Sequence, residues 1–264
     1  MSPKKTGLLT LLAALAVLSP ATAHAHGDQP TLHVGYAYKS CYIDLHPELT
    51  AGQFHSFARQ FADAGAFLSL GGARSLAPGE IGFGVSYNQT FIDDTRPEWN
   101  NTFSHPGEDH WLGQPPLLVL TGRVGLPRAF ETEAMVTGDP QSNWALVGVA
   151  LRAPILREET GLPVSTAARL SVVHLLGAQE LDLDAVALDG LVSRSFGRFT
   201  PYAGMGAFAS RATEQTIELA LGSDTAYGAR ATAGLEVALG HVRVAGQGMW
   251  ASVPVVALMV GGAI

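Results

Sequence analysis

From Ile81 to the end of the chain, apolar and polar residues alternate with a period of two. The clearest stretch is Tyr227 to Val237. One set of positions holds Tyr227, Ala229, Ala231, Ala233, Leu235 and Val237, and the other Gly228, Arg230, Thr232, Gly234 and Glu236. Successive side chains of a strand point to opposite faces, so this segment has one unbroken apolar face and one that carries charge, a hydroxyl and glycines. Ile81 to Ile92 follows the same rule: Ile81, Phe83, Val85, Tyr87 and Phe91 face one way, with Gln89 the polar exception. Further strands are predicted over Leu117–Leu126, Phe130–Thr137, Asn143–Leu151, Thr166–Leu175, Asp182–Ser195, Phe199–Arg211, His241–Trp250 and Val255–Ile264. That makes about ten strands, within a range of 8–12.

The connections sort by length. If the first strand runs outward, the turns near Pro127, Gly197 and Gly240 fall on one side, with only Pro154–Pro163 longer. The long segments Asp93–Pro116 and Ala212–Asp224 fall on the other. Transmembrane barrels show this asymmetry, and most of the segments approach the roughly nine to eleven residues a tilted strand needs to cross a bilayer. A water-soluble sandwich, the competing class, would need the apolar rows to meet each other. Ahead of the strands, Glu48 to Phe67 has a different period. Phe54, Phe57, Ala58, Phe61 and Ala62 recur at three- and four-residue spacing, with Thr50 as N-cap and Gly65 as stop, which predicts a short amphipathic helix. Periodicity alone leaves three places for it: the periplasm, the lumen as a plug, or the membrane surface. A short strand over Thr31–Tyr38 is also compatible with the sequence.

Three further features bear on export and class. Residues 1–25 read as a secretory signal, with Lys4 and Lys5, an apolar run Leu8–Leu18 and the small-residue site Ala23-His24-Ala25. Removing it takes the formal charge from −7 to −9, which speaks against nucleic-acid binding. Cys41 is the single cysteine, so the chain has no intramolecular disulfide, and a free or buried thiol is expected. After the signal no uninterrupted run of eighteen apolar residues occurs. Val244–Ile264 comes nearest and is broken by Gln247, Ser252 and Pro254. The expected organisation is a signal over 1–25, an N-terminal segment with the helix over 26–79, periplasmic or plugging the lumen, and a barrel over 80–264.

The chain resembles bacterial outer-membrane β-barrel proteins. The resemblance rests on the signal, the Leu76-Ala77-Pro78-Gly79-Glu80 lead into the first strand, the Gly125-Leu126-Pro127-Arg128 reversal and Phe199-Thr200-Pro201-Tyr202-Ala203-Gly204. It covers roughly Ala73 to Ile264 and departs in ending Gly262-Ala263-Ile264, where such barrels usually end in an aromatic residue. It implies a closed antiparallel transmembrane β-barrel in the outer membrane, with outer-membrane lipid, the barrel-assembly machinery and small solutes as partners.

Strand parity assigns the inner wall. Arg123, Glu131, Glu133, Arg152, Arg169, Asp189, Arg230, Glu236, His241, Arg243 and Gln247 are predicted to face the lumen. Both signs of charge are present. This set fits either a salt-bridge network that fills a narrow interior, or a slim passive channel for small solutes or ions. The channel is the more concrete function and the non-conducting structural or surface barrel the alternative. The polar loop over Asp93–Pro116 carries Trp99 and Trp111, expected at the membrane interface. It also holds His105, His110 and several acids, whose spacing matches no metal loop. Ser171 and His174, three residues apart, fall on opposite faces of a strand, and no Gly-x-Ser-x-Gly elbow occurs. Neither an enzyme, a cofactor nor a metal is expected.

Overall fold

A computed structural model of the chain describes residues 43–93, 96–102, 117–138, 144–216 and 219–264. The expected signal, the Thr31–Tyr38 strand, Cys41, His105, His110 and Trp111 lie outside the described residues.

A 14-residue helix α1 (Ala51–Ala64) comes first. Ten strands follow: β1 (Ile81–Thr90), β2 (Leu117–Gly125), β3 (Glu131–Gly138), β4 (Ala145–Leu156), β5 (Ser165–Leu176), β6 (Leu181–Ser193), β7 (Phe199–Glu214), β8 (Ser223–Leu239), β9 (Val242–Trp250) and β10 (Val255–Ala263). A single helical turn, α2 (Pro97–Asn100), lies between β1 and β2. Each strand pairs antiparallel with the next in sequence, and β1 pairs with β10 from Gly82↔Ala263 to Thr90↔Val255. Ile81 and Ile264 exchange two backbone hydrogen bonds of 3.0 and 2.9 Å at the seam. The sheet is a closed ten-strand barrel without a free lateral edge around its lower girth. No helix among the described residues is long and apolar enough to cross a membrane.

The alternation read from the sequence is the alternation of the wall. Ile81, Phe83, Val85 and Tyr87 of β1 are exposed on the outside, as are Leu170 and Val172 of β5, Val186 and Leu188 of β6 and Leu235 of β8. The residues between them are buried inside. An exterior of this extent made of large apolar side chains suits hydrocarbon, because a monomer in water rarely shows so large a continuous apolar surface.

The wall is uneven in height. β6, β7 and β8 have 13, 16 and 17 residues, whereas β2, β9 and β10 have nine and β3 has eight. The extra length lies at the end of the barrel that bears the long connections, the loop end. There Thr213 pairs with Ser223 and Leu181 with Glu214, so the loop expected over Ala212–Asp224 shrinks to residues 215–222. β8 also outruns β9: the last pair is Ala231↔Trp250, and Ser223 to Arg230 pair with β7 alone. At about 3.3 Å per residue and a tilt near 40°, a 16-residue strand rises roughly 40 Å, well beyond an apolar band of about 25 Å. Along this projecting wall the alternation inverts. Asp184, Arg211, Thr213 and Ser223 point outward, and Leu181, Leu183, Ala212 and Ala226 are buried inside. Such a sheet has water outside and an apolar core within.

The helix α1 supplies that core. Thr50 and Gln53 form the expected capping box, with Thr50 Oγ1 accepting from the Gln53 amide at 3.4 Å and Gln53 Oε1 from the Thr50 amide at 2.8 Å, and Gly65 caps the end. Phe54, Phe57 and Phe61 are almost fully buried against β6, β7 and β8, each stabilising the docked helix by roughly 1.5–3 kcal/mol. Trp99 stands edge-on to Phe57 at 5.1 Å, and its Nε1 donates to Gln60 Oε1 at 2.6 Å. Contrary to expectation, Trp99 is therefore 2% exposed inside the loop-end core, not at the membrane interface. The helix is fixed in the barrel mouth by His55 to Asp224, 2.8 Å, and by Asp63, which accepts from the Ser252 amide at 2.9 Å and from its hydroxyl. Burial raises the Asp63 carboxyl above its ordinary pKa, against the lowering effect of those hydrogen bonds.

Candidate functional site

After α1 the chain does not leave the barrel. Residues 66–76 run down the lumen in no regular secondary structure, and Ala66, Phe67, Leu68, Leu70, Ala73 and Leu76 are all buried. Gly79 and Glu80 then meet Gly125 at the turn end, where β1 starts. A buried, irregular backbone has amides and carbonyls that no neighbour in a ladder can satisfy, so the wall must supply partners.

Most of the wall residues that do so are charged. Arg169 Nη1 donates to the Phe67 carbonyl at 2.8 Å, and its guanidinium lies over the Phe67 ring at 4.3 Å. Arg152 donates to the Gly72 carbonyl at 3.0 Å and to Ser69 Oγ at 2.6 Å. Glu131 Oε2 accepts from the Leu76 amide at 2.8 Å, Ser193 Oγ from Ala73 at 2.9 Å and Glu236 Oε2 from Gly72 at 3.3 Å. Gly71 approaches Glu236 at φ +114°, in the left-handed region that glycine alone enters freely, and a Cβ there would lie 2.5 Å from Glu236 Oε2.

The same groups pair with one another around the wall. Arg123 of β2 bonds Glu131 of β3 at 2.7 Å. Arg152 of β4 lies 3.8 Å from Glu131 and 2.9 Å from Glu133. Arg169 of β5 holds Glu133 Oε2 through two nitrogens at 3.0 and 2.9 Å, and stands 3.7 Å from Asp189 of β6. Arg230 of β8 forks onto Asp189 at 2.8 and 2.6 Å. Arg243 of β9 reaches Glu236 at 3.2 Å. Signs alternate closely enough that each buried charge has an opposite neighbour, the condition under which such charges are tolerated.

Two pairs in this belt skip a strand: Arg169 of β5 with Glu133 of β3, and Arg230 of β8 with Asp189 of β6. In the second, Asp189 pairs in register with Gly206 of β7, and Gly206 with Arg230 of β8. The two charged side chains meet because nothing stands between them: a Cβ on Gly206 would lie 2.1 Å from Asp189 Oδ1 and 2.6 Å from the Leu188 carbonyl. Gly206→Ala is expected to displace the carboxylate and to destabilise the barrel by about 1–3 kcal/mol, the usual cost of overpacking. Denaturant titration of the folded band on a gel measures it, and an unshifted midpoint would show that the contact is dispensable.

Arg123, Glu131, Glu133, Arg152, Arg169, Asp189, Arg230, Glu236 and Arg243 therefore come together as one belt. Gln247 points inward too, but stays outside the belt, with no hydrogen-bond partner for its amide among the described residues. His241 does not join them. It stands exposed in the turn before β9, which begins at Val242, one residue later than the alternation suggests. Parity held for it on paper only because a turn continues the count without continuing the strand. The inward Thr and Ser groups and the irregular segment 66–76 were not singled out by sequence reasoning. A run of apolar and glycine residues with neither period, next to a cap-defined helix, is the one signal that could have found the segment. Ser171 is buried inside and His174 lies outside, so the two cannot act together.

No family model matches the chain, and no curated protein sequence matches it. Solved structures do. The N-terminal β-barrel domain of Pseudomonas aeruginosa OprF matches at 11% identity over 72% of this chain and all of that one, with a TM-score of 0.34. An outer-membrane channel from Pseudomonas putida F1 matches at 7% identity over 75% and 100%, with a TM-score of 0.46. Acinetobacter baumannii outer membrane protein Omp33 matches at 7% identity over 70% and 98%, with a TM-score of 0.33. This chain's own fold is a closed ten-strand antiparallel barrel. Matches at this identity and TM-score carry nothing of substrate or partner to this chain.

Proposed function

We propose that this chain is a bacterial outer-membrane barrel, exported by its N-terminal signal, that is closed by its own N-terminal segment and serves as a structural or surface-facing protein. The short turns face the periplasm and the projecting β6–β8 wall, with α1 in its mouth, stands outside the cell. The observation that supports closure is the threading of residues 66–76 through the belt of wall charges, which leaves the arginines and acids bonded to the segment and not lining an open passage. In planar bilayers the folded protein should give no steady conductance at moderate voltage. Stable open levels in the untreated protein would overturn closure.

A slim passive channel is the second reading, and one observation favours it. Ser86 and Asn88 of β1 and Gln247 of β9 are buried inside the wall, with side-chain atoms that have no hydrogen-bond partner among the described residues. Asn88 and Gln247 flank Ala257 of β10 on a single rung, on the side where Leu68 and Leu70 press against Met249 and Met259. A residual path for water-sized solutes would run there. The same recordings discriminate: small steady currents that Gln247→Leu abolishes support the path, and silence supports closure.

A further inference from the structure

The outer surface of the projecting wall carries a cluster that the lumen does not use. His174 near the end of β5 and Asp182 and Asp184 at the start of β6 share the outward face, with His174 directly opposite Asp184 in the register. His174 Nδ1 lies 2.8 Å from Asp184 Oδ1 and 3.9 Å from Asp182 Oδ1, and the three ligand atoms all lie within 4.8 Å of one another. Ligands about 2.0–2.1 Å from a tetrahedral ion stand roughly 3.4 Å apart, so these separations already straddle the spacing of a shared metal.

The two carboxylates sit two residues apart on one strand face, a repulsive arrangement, and among the described residues no arginine or lysine pairs with either. The neighbours on β7 that could quiet them turn elsewhere. Arg211, in register with Asp184, donates to Ser223 Oγ at 3.4 Å, and Thr213, in register with Asp182, bonds Ser223 Oγ at 3.0 Å. The carboxylates thus keep oxygens free on a half-exposed surface above the apolar band, where water can complete a coordination shell.

We propose that His174, Asp182 and Asp184 bind a divalent transition-metal ion of the zinc class. One imidazole with two carboxylates gives a borderline donor set, which favours zinc over calcium, an ion that prefers oxygen alone. The strand pairing holds the three ligands, leaving a water as the fourth. Such a metal would clip β5 to β6 near the loop end of the wall.

The test is calorimetric titration of the full-length folded protein in detergent with zinc chloride, and separately with calcium chloride. One zinc should bind at this site at least ten-fold more tightly than calcium. His174→Ala and Asp184→Asn should each weaken that event at least ten-fold. Both positions face outward, and the heat-modifiable gel shift of each variant should be unchanged. Zinc binding equal in wild type and both variants would place the ion elsewhere, for instance on other histidines, and overturn the assignment; so would no binding, or calcium binding as tightly as zinc. A gel shift lost in the His174→Ala variant is separated from loss of metal by His174→Gln, which keeps a polar side chain of similar reach and should also lose zinc.

Discussion

Replacing Arg152 with methionine should destabilise the folded barrel by about 3–5 kcal/mol, the range for removing one partner of a buried ion pair. Arg152 is 1% exposed and touches the wall and the internal segment at once: Glu133 at 2.9 Å, Glu131 at 3.8 Å, Ser69 Oγ at 2.6 Å and the Gly72 carbonyl at 3.0 Å. Methionine keeps much of the volume, so the change isolates charge and hydrogen bonding from packing. What remains is two carboxylates with one cation fewer between them and a carbonyl with no donor, and both are costly in a low-dielectric interior. The midpoint of urea unfolding, followed by the heat-modifiable gel band, measures the loss. A second substitution, Glu133→Gln, should recover none of it, because Glu133 still holds Arg169 through two nitrogens and its loss would leave that buried arginine poorly paired. If Arg152→Met alone leaves the midpoint unchanged, the belt does not hold the segment and the proposed closure loses its support. Bilayer recordings add an independent readout: loosening residues 69–72 should raise the frequency of transient openings.

The exterior and the interior of this barrel were not equally legible in the sequence. Lipid-facing rows obey period two because each strand meets the same solvent over its whole crossing, so the row from Tyr227 to Leu235 announces itself. The helix is legible for a similar reason: Thr50, Gln53 and Gly65 are local signals, and Phe54, Phe57 and Phe61 a local period. Its place in the barrel mouth is set by partners far away in the chain, Asp224 and Ser252, and no local pattern encodes them. The ends of β7 and β8 were misplaced for a definite reason. Above the membrane the outside solvent changes from hydrocarbon to water, the outward residues become Thr213, Ser223 and Asp184, and a strand there reads as a polar loop. Parity gives each charge a side of the wall and misses that His241 lies in a turn, and it cannot show that residues 66–76 occupy the space those charges face. Gly206 shows the same limit from the other side: its value lies in a side chain that is absent, between two residues on neighbouring strands.

Depth along the outer face provides the second large effect. Ala233 lies on the exposed face of β8, six residues from the turn end, and arginine there should cost about 2–4 kcal/mol in lipid, the range for a cation at mid-bilayer. Thr225, on the same strand and the same face, lies in the projecting part of the wall, where arginine should cost about 0–1 kcal/mol, as it does near the interface. Both are exposed, outward, small-to-medium residues on one continuous strand, so packing and strand propensity nearly cancel in the comparison. The remaining difference is the solvent each side chain meets. Reversible unfolding from lipid vesicles gives the two costs, and repeating it in a detergent micelle that the charge can deform should shrink the gap. Equal costs at Ala233 and Thr225 in vesicles would mean that the outer face sees one solvent from end to end. The apolar rows would then not be a membrane surface, and the inversion of pattern along β6–β8 would lose its explanation.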